Sequence, residues 1–133
     1  MEKKHRILIV DDEESIRFTL ECFLTDEGHE VVTAKSYGEA IELIETTAFD
    51  MIYADVILGG GKTGIDIIRE ARERGITCPV VVITGAPSVE TAVEAARLGV
   101  FDYIPKPIRW ENLIQVTKAA LEGKDPYGKE NRR

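Results

Sequence analysis

Residues 49–55, with the sequence FDMIYAD, decide the fold of this 133-residue chain. The stretch is a short apolar run that ends on the carboxylate of Asp55 and is followed by a glycine-rich loop. An apolar run without alternation predicts a strand buried on both faces, as in the centre of a parallel sheet. Because open α/β sheets hold their ligands at the carboxyl ends of their strands, Asp55 is a candidate functional residue. Aspartate also caps turns into helices, and this residue alone does not decide between the two roles.

Strands and helices alternate on both sides of that central strand. Apolar runs predict four further strands, at residues 7–10, 31–34, 79–83 and 102–104. Apolar residues at helical spacing predict a helix after each strand, with boundaries marked by Gly28, Ser36, Gly75, Ser88, Gly99 and Gly123. This strict alternation predicts an α/β fold, in which five helices cover both faces of a doubly wound, five-stranded parallel sheet.

The last two helices carry apolar side chains at helical spacing, and such a stripe normally packs against the sheet. One face of the helix after Ser88 carries Val89, Ala92, Val93 and Ala96. The final helix, from about residue 109 to residue 122, is predicted to turn four side chains inward: Trp110, Leu113, Ile114 and Leu121.

Composition and charge narrow the functional class. The chain is 44% hydrophobic and 31% charged, as in ordinary globular domains, and no apolar stretch is long enough to span a membrane. The apolar run behind the charged N-terminus is too short for an export signal, so we expect a cytoplasmic location. A net charge of −7 argues against direct nucleic-acid binding by this domain. Cys22 and Cys78 lack metal-ligand spacing and receive no functional role.

Polar side chains follow four of the predicted strands at their carboxyl ends. These are Asp11 and Asp12 after the first strand, Asp55 at the end of the third, Thr84 at the end of the fourth and Lys106 after the fifth. In a doubly wound sheet these ends share one edge, so we expect the side chains to converge. Clustered carboxylates repel one another, and Mg²⁺ suits a site of carboxylate, water and phosphate oxygens. The sequence therefore predicts that Asp55 attacks a phosphoryl group, with Lys106 as a counter-charge and Thr84 as a donor.

Each of these residues also has an ordinary structural explanation. Asp11 and Asp12 place favourable negative charge at the start of a helix, Thr84 fits a turn, and Lys106 fits a solvated surface. Taken one at a time, these explanations are sufficient. Taken together, they require five suitable groups to reach strand ends by chance, which favours the functional interpretation.

Four motifs carry a resemblance to a known family: ILIVDDE at 7–13, the strand that ends in Asp55, VITG at 82–85 and DYIPKP at 102–107. In this order and at these spacings, the chain resembles the receiver domains of two-component response regulators over about residues 5–122. Residues 90–99 most resemble receivers of NtrC-type transcriptional activators. The resemblance implies a flavodoxin-like sheet of strand order 2-1-3-4-5. Residues 123–133 are then a polar linker or a disordered C-terminal tail.

The resemblance also implies a mechanism. Asp55 accepts a phosphoryl group from a histidine kinase or a phosphotransfer protein. Mg²⁺ is held by Asp12, Asp55 and the backbone carbonyl of Ile57, with Asp11 assisting. The domain is then a signalling module, which catalyses only its own phosphorylation and slow dephosphorylation.

The resemblance further implies a conformational switch. In the family, Thr84 moves toward the phosphoryl group and Tyr103 turns inward, which alters the face formed by the fourth helix, the fifth strand and the fifth helix. That face controls an output domain or a downstream protein partner, and it is a candidate homodimer surface. A half-buried strand aromatic without a switching role is the alternative for Tyr103. The resemblance also implies a cis peptide bond between Lys106 and Pro107.

The loop after Asp55 departs from the family pattern. Family members usually carry a proline four residues after the phosphoacceptor and a glycine at eight, whereas this chain has Gly59 and Thr63 there, with Gly64 at nine. The loop is therefore longer by one residue, and the three glycines at 59–61 give it little side-chain restraint. The glycines followed by lysine and threonine suggest a nucleotide-binding loop, but that motif requires a glycine where Val56 stands.

Two other functions compete with phospho-signalling. A pseudo-receiver acts as a fixed interaction scaffold without phosphorylation, and retention of Asp12, Asp55, Thr84 and Lys106 argues against it. A phosphatase or nucleoside triphosphatase acts on a separate substrate and shows sustained turnover when substrate is in excess.

Overall fold

A computed structural model of the protein describes residues 4–123. The strands are β1 Arg6–Val10, β2 Glu30–Ala34, β3 Met51–Asp55, β4 Val80–Thr84 and β5 Asp102–Pro105. The helices are α1 Glu14–Asp26, α2 Tyr37–Thr46, α3 Gly64–Glu73, α4 Val89–Arg97 and α5 Trp110–Glu122. The predicted alternation of strands and helices is confirmed. The predicted linker or disordered tail lies, from residue 124 onward, outside the described residues.

The sheet has the predicted order β2-β1-β3-β4-β5, and every neighbouring pair of strands is parallel. Val10 is in register with Ala54, Asp55 with Ile83, and Thr84 with Pro105. The carboxyl ends of the four strands β1, β3, β4 and β5 therefore lie along one edge of the sheet. This alignment brings the candidate functional residues to a common place.

Strand side chains alternate between two apolar layers, because successive residues of a strand point to opposite faces. Leu8, Ile52 and Val82 belong to the layer covered by α2, α3 and α4. Ile9 and Tyr53 belong to the other layer, which also contains Leu20 and Leu24 of α1 and Leu113 of α5. Helices on both faces explain why the strands are apolar without alternation.

The prediction for the apolar face of α4 needs correction. Val89 is 81% exposed and Val93 is 42% exposed, and Ala96 also faces solvent. The fully buried residue of α4 is Ala95, with Ala92 half-buried one turn earlier. The two small residues allow close approach to the sheet, which leaves the larger valines on a neighbouring stripe in solvent.

The prediction for α5 is wrong at Trp110, which is 54% exposed. Trp110 is the first residue of the helix, and its ring lies 6.4 Å from the ring of Phe23 on α1. Leu113 is fully buried as predicted, and Ile114 and Leu121 are half-buried. The other buried residues of α5 are Val116, Thr117, Ala119 and Ala120. Within residues 4–123, no helix is both long and apolar enough to cross a bilayer.

Candidate functional site

The site lies at the carboxyl edge of the sheet. Asp11 directly follows β1 and is 2% exposed, and Asp55 is the last residue of β3 and is 4% exposed. Asp12 is exposed beside them. Carboxylate oxygens of these three residues all lie within 4.8 Å of one another. The structure thus brings together the three aspartates that the sequence pattern singled out.

Lys106 follows β5 and reaches across the edge to these carboxylates. Its backbone N–H donates to the carbonyl of Thr84 at 2.7 Å, and the peptide bond to Pro107 is cis, as the resemblance implied. Its Nζ atom lies 3.0 Å from Asp11 Oδ2 and 3.0 Å from Asp55 Oδ2. The ammonium therefore pairs with both buried aspartates at once.

A third carboxylate completes the surroundings of Lys106. Glu13 Oε1 lies 2.7 Å from Nζ, which is the shortest of the three ion-pair distances. Burial alone lowers the pKa of Lys106, but the hydrogen bonds to Glu13, Asp55 and Asp11 outweigh it and raise this pKa above its usual value. The lysine is consequently held in its charged form.

Both carboxylate oxygens of Asp11 have a partner. Its Oδ1 atom accepts a hydrogen bond from the backbone N–H of Glu13 at 2.9 Å, while Oδ2 faces Lys106. Burial raises the pKa of Asp11 and the nearby charge of Asp55 adds to the rise, whereas the bonds from Glu13 and Lys106 oppose it. The hydrogen bonds from Glu13 and Lys106 therefore offset only part of the effect of burial on the pKa of Asp11.

The donor set fits a hard divalent cation. Asp11, Asp12, Glu13 and Asp55 bring four carboxylates to the edge, where Lys106 pairs with three of them and the Arg17 guanidinium donates to the Asp11 carbonyl at 2.8 Å. Carboxylate oxygens at this spacing are the ligands that Mg²⁺ takes in proteins. Ile57 stands next to this cluster, where its backbone N–H donates to Asp55 Oδ1 at 3.3 Å. Asp11, Asp12 and Asp55 could hold the ion, and the part of the Ile57 carbonyl stays a prediction.

Thr84 and Tyr103 occupy two different places. Thr84 is fully buried, and its Oγ1 accepts a hydrogen bond from the backbone N–H of Ala86 at 3.0 Å. Tyr103 is half-buried against the layer on the α4 side. Its hydroxyl accepts from the backbone N–H of Ser88 at 3.2 Å and shares a hydrogen bond of 2.6 Å with Thr91 Oγ1. The Tyr103 hydroxyl is therefore bonded to the N-terminal turn of α4.

The glycine loop after Asp55 is fixed at both ends. Gly59, Gly60 and Gly61 have φ angles of +75°, +70° and +87°, which side chains with a Cβ atom disfavour. On either side of them, Ile57 and Thr63 form an antiparallel bridge. The extra residue of the loop is thus accommodated by a run of left-handed glycines between two anchored positions.

The start of α3 is set by a capping box. Thr63 Oγ1 accepts from the backbone N–H of Asp66 at 3.2 Å, and the Asp66 carboxylate accepts from the backbone N–H of Thr63 at 2.8 Å. The latter bond is the main cause of the lowered pKa of Asp66. Gly64, the first residue of the helix, donates to the carbonyl of Val56 at 2.9 Å and ties the helix to the site.

Sequence reasoning missed three contributors to this site. Glu13 ends the ILIVDDE motif but was given no role, and its contact with Lys106 depends on the fold. The capping box of Thr63 and Asp66 has the pattern of a hydroxyl residue three positions before an acid, which could have been found. Nothing in the sequence alone marks how closely Gly64 approaches β3.

Comparison with known proteins adds independent information. A family model described as the response regulator receiver domain matches residues 7–118. The chain is 37% identical over 121 residues to the alginate biosynthesis transcriptional regulatory protein AlgB of Pseudomonas aeruginosa, covering 91% of this chain and 27% of that protein. It thus spans about a quarter of the length of the curated relatives it matches.

Two solved structures resemble the chain along most of its length. A CheY-like response regulator receiver domain protein from Methanospirillum hungatei JF-1 has a TM-score of 0.87 at 29% identity, covering 95% of this chain and 100% of that one. NtrX from Brucella abortus has a TM-score of 0.83 at 38% identity, covering 91% of this chain and 28% of that one.

Proposed function

The chain belongs to the response regulator receiver domain family, and on that premise we propose that Asp55 accepts a phosphoryl group from a histidine kinase or a phosphotransfer protein. The observation that carries this proposal is the position of Asp55, which is buried at the end of β3 with Lys106 Nζ at 3.0 Å. A carboxylate with a fixed cation beside it is arranged to become an acyl phosphate, because the cation offsets the charge that gathers on the phosphoryl group.

The transfer breaks one bond and forms another. An Asp55 carboxylate oxygen attacks phosphorus, the phosphorus–nitrogen bond of the phosphohistidine donor breaks, and the electron pair stays on the imidazole nitrogen. Asp55 Oδ1 accepts from the N–H of Ile57 and Oδ2 accepts from Lys106, so both oxygens are oriented before the donor arrives. Lys106 then serves as a donor to the phosphoryl oxygens.

Mg²⁺ fits the acidic cluster as the cofactor of this reaction. We assign its ligands as Asp11, Asp12 and Asp55, together with the Ile57 carbonyl. The ion, when bound, neutralises the carboxylates and the phosphoryl oxygens and so favours their approach. Thr84, buried at the end of β4, is assigned as the hydroxyl that turns toward the phosphoryl group.

The output surface is assigned to α4, β5 and α5. Its support is the bond from the Tyr103 hydroxyl to Thr91, which connects β5 to α4, and the exposed valines Val89 and Val93 on α4. A shift of Tyr103 therefore changes the hydrogen bonds of the first turn of α4. We propose that this surface controls an output domain or a protein partner, and that it is a candidate for homodimer formation.

Membership of the receiver family also supports proposals about the output domain and the cellular location. AlgB is named a transcriptional regulatory protein and is about four times as long as this chain, which supports an output domain in the same protein, with a stand-alone receiver as the alternative. We place this domain in the cytoplasm and assign it no direct nucleic-acid contact, in keeping with its net charge of −7.

Intact mass after incubation with excess acetyl phosphate tests the proposal. With Mg²⁺, the wild type gains one phosphoryl group, and the adduct is absent without Mg²⁺ and in Asp55→Asn. No adduct in the wild type favours the fixed scaffold. Continuous release of phosphate that persists in Asp55→Asn favours an enzyme acting on a separate substrate, because a receiver releases phosphate only through its own acyl phosphate.

A further inference from the structure

Lys106 has three N–H donors, and each of the three faces a different carboxylate. The distances are 2.7 Å to Glu13, 3.0 Å to Asp11 and 3.0 Å to Asp55. When a phosphodonor approaches Asp55, its phosphoryl oxygens can accept from this ammonium only if one of the three donors is released. The partners thus compete with the product for the same donors.

The three partners of Lys106 differ in their surroundings. The side chains of Asp11 and Asp55 are 3% and 5% exposed, whereas that of Glu13 is 58% exposed. A buried carboxylate that loses its cation carries a desolvation penalty, but an exposed one is hydrated at once. Glu13 is therefore the partner that Lys106 releases at the lowest cost.

Backbone hydrogen bonds hold Glu13 beside Asp11 and Lys106. Glu13 precedes α1 as its N-cap residue, and its side chain makes no cap hydrogen bond. Its N–H donates to Asp11 Oδ1 at 2.9 Å, and its carbonyl accepts from the N–H of Arg17 at 3.1 Å. The backbone is thus fixed between the site and the helix, while the carboxylate is available to Lys106.

We propose that Glu13 is a positioning residue that restrains Lys106 before phosphorylation and gives it up to the phosphoryl group. The inference rests on the proposed function of Asp55. Glu13 opposes phosphorylation in two ways, because it occupies a donor of Lys106 and adds a negative charge where an anionic phosphodonor enters. Its removal makes the site more receptive to phosphoryl groups.

Two variants distinguish the effect of the contact between Glu13 and Lys106 from the effect of negative charge alone. Glu13→Gln replaces the exposed carboxylate partner of Lys106 with a neutral amide, which is a weaker acceptor for the ammonium. Glu14→Gln removes the same charge at the next position, where the exposed Glu14 begins α1 and is not among the ion-pair partners that the described structure gives Lys106. Both positions are exposed, so we expect both variants to fold with the wild-type melting temperature.

The first readout is the rate of mass labelling over a series of acetyl phosphate concentrations at fixed Mg²⁺. Glu13→Gln is expected to be labelled roughly two- to fivefold faster at low donor concentration, the size of effect that an exposed ion pair produces. The gain appears as a lower half-saturating concentration, with little change in the maximal rate. Glu14→Gln is expected to match the wild type.

The second readout needs no chemical turnover. Trp110 is the only tryptophan in the sequence, and it lines a cavity of about 140 Å³ together with Lys106. Its fluorescence can follow binding of beryllofluoride, a phosphoryl mimic, in the presence of Mg²⁺. Glu13→Gln is expected to bind the mimic more tightly than the wild type and Glu14→Gln.

The outcomes distinguish this inference from the proposed function. An unlabelled wild type overturns the proposed function. A labelled wild type, with Glu13→Gln no faster than Glu14→Gln or slower than the wild type, overturns only the role of Glu13. Equally faster labelling of both variants assigns the effect to overall charge and likewise overturns the role of Glu13.

Discussion

Gly64 lies against the backbone of Asp55, and a Cβ atom at Gly64 would stand only 2.1 Å from the Asp55 carbonyl oxygen. The first residue of α3 is thus packed onto the end of the strand that carries the proposed phosphoacceptor. The contact links the geometry of the glycine loop to the position of the Asp55 carboxylate.

Gly64→Ala is expected to destabilise the protein by about 1–3 kcal/mol, because the backbone must shift to admit the methyl group. Urea unfolding measures the change. Gly38→Ala is the matched control: Gly38 lies in α2 with nothing within 4 Å of an added Cβ. Alanine is favoured there by helix propensity, so equal destabilisation of both variants would contradict the packing argument.

Lys106→Met is expected to destabilise the protein by about 2–3 kcal/mol without Mg²⁺, since Asp11 and Asp55 lose their buried partner. Added Mg²⁺ then raises the melting temperature of the variant more than that of the wild type, because the ion replaces the lost charge. The control is Lys118→Met on the exposed side of α5. The same response to Mg²⁺ in all three proteins would argue against coupling between Lys106 and the cation.

Asp66→Asn is expected to alter the acid sensitivity of folding. The folded-state pKa of Asp66 is lowered, so the ionised carboxylate stabilises the fold at neutral pH, and this contribution is lost as the pH falls through the lowered folded pKa. The stability difference between wild type and variant should therefore be larger at pH 7 than at pH 3, as measured by urea unfolding. A difference that stays constant between those pH values would rule out the ionised cap.

Tyr103→Phe is expected to loosen the N-terminal turn of α4, since the hydroxyl that bonds Ser88 and Thr91 is removed. A cost of about 1 kcal/mol is typical for such a bond. Hydrogen exchange should accelerate at the first turn of α4, while labelling by acetyl phosphate stays near the wild-type rate. Tyr37→Phe serves as the control, because it removes a tyrosine hydroxyl on α2 and keeps the ring that lies under Lys62. Unchanged exchange in α4 would refute the proposed connection.

The architecture and the location of the site could be predicted from sequence because both follow from local patterns. Unbroken apolar runs indicate buried parallel strands, and the residues at their ends share an edge once the strand order is known. The convergence of Asp11, Asp55 and Lys106 on this edge follows from these patterns.

The errors concern features that depend on tertiary packing. The exposed Trp110 contacts Phe23 at the rim of α1 and α5, and the small Ala95 rather than Val93 faces the sheet. Side-chain size and helix rotation decide these placements, and periodicity alone does not fix them. Gly64 approaches Asp55 across a loop that has no regular pattern. Glu13 contacts Lys106, which is distant in sequence, so local patterns do not indicate the pair.

The most direct test of the central claim is to locate the phosphoryl group. The protein is labelled with acetyl phosphate and Mg²⁺, reduced with borohydride to convert an aspartyl phosphate to homoserine, digested and sequenced by tandem mass spectrometry. We expect homoserine at position 55 alone. Conversion at Asp11 or Asp12 instead, or no conversion in a sample whose intact mass shows the adduct, would contradict the assignment of Asp55 as the phosphoacceptor.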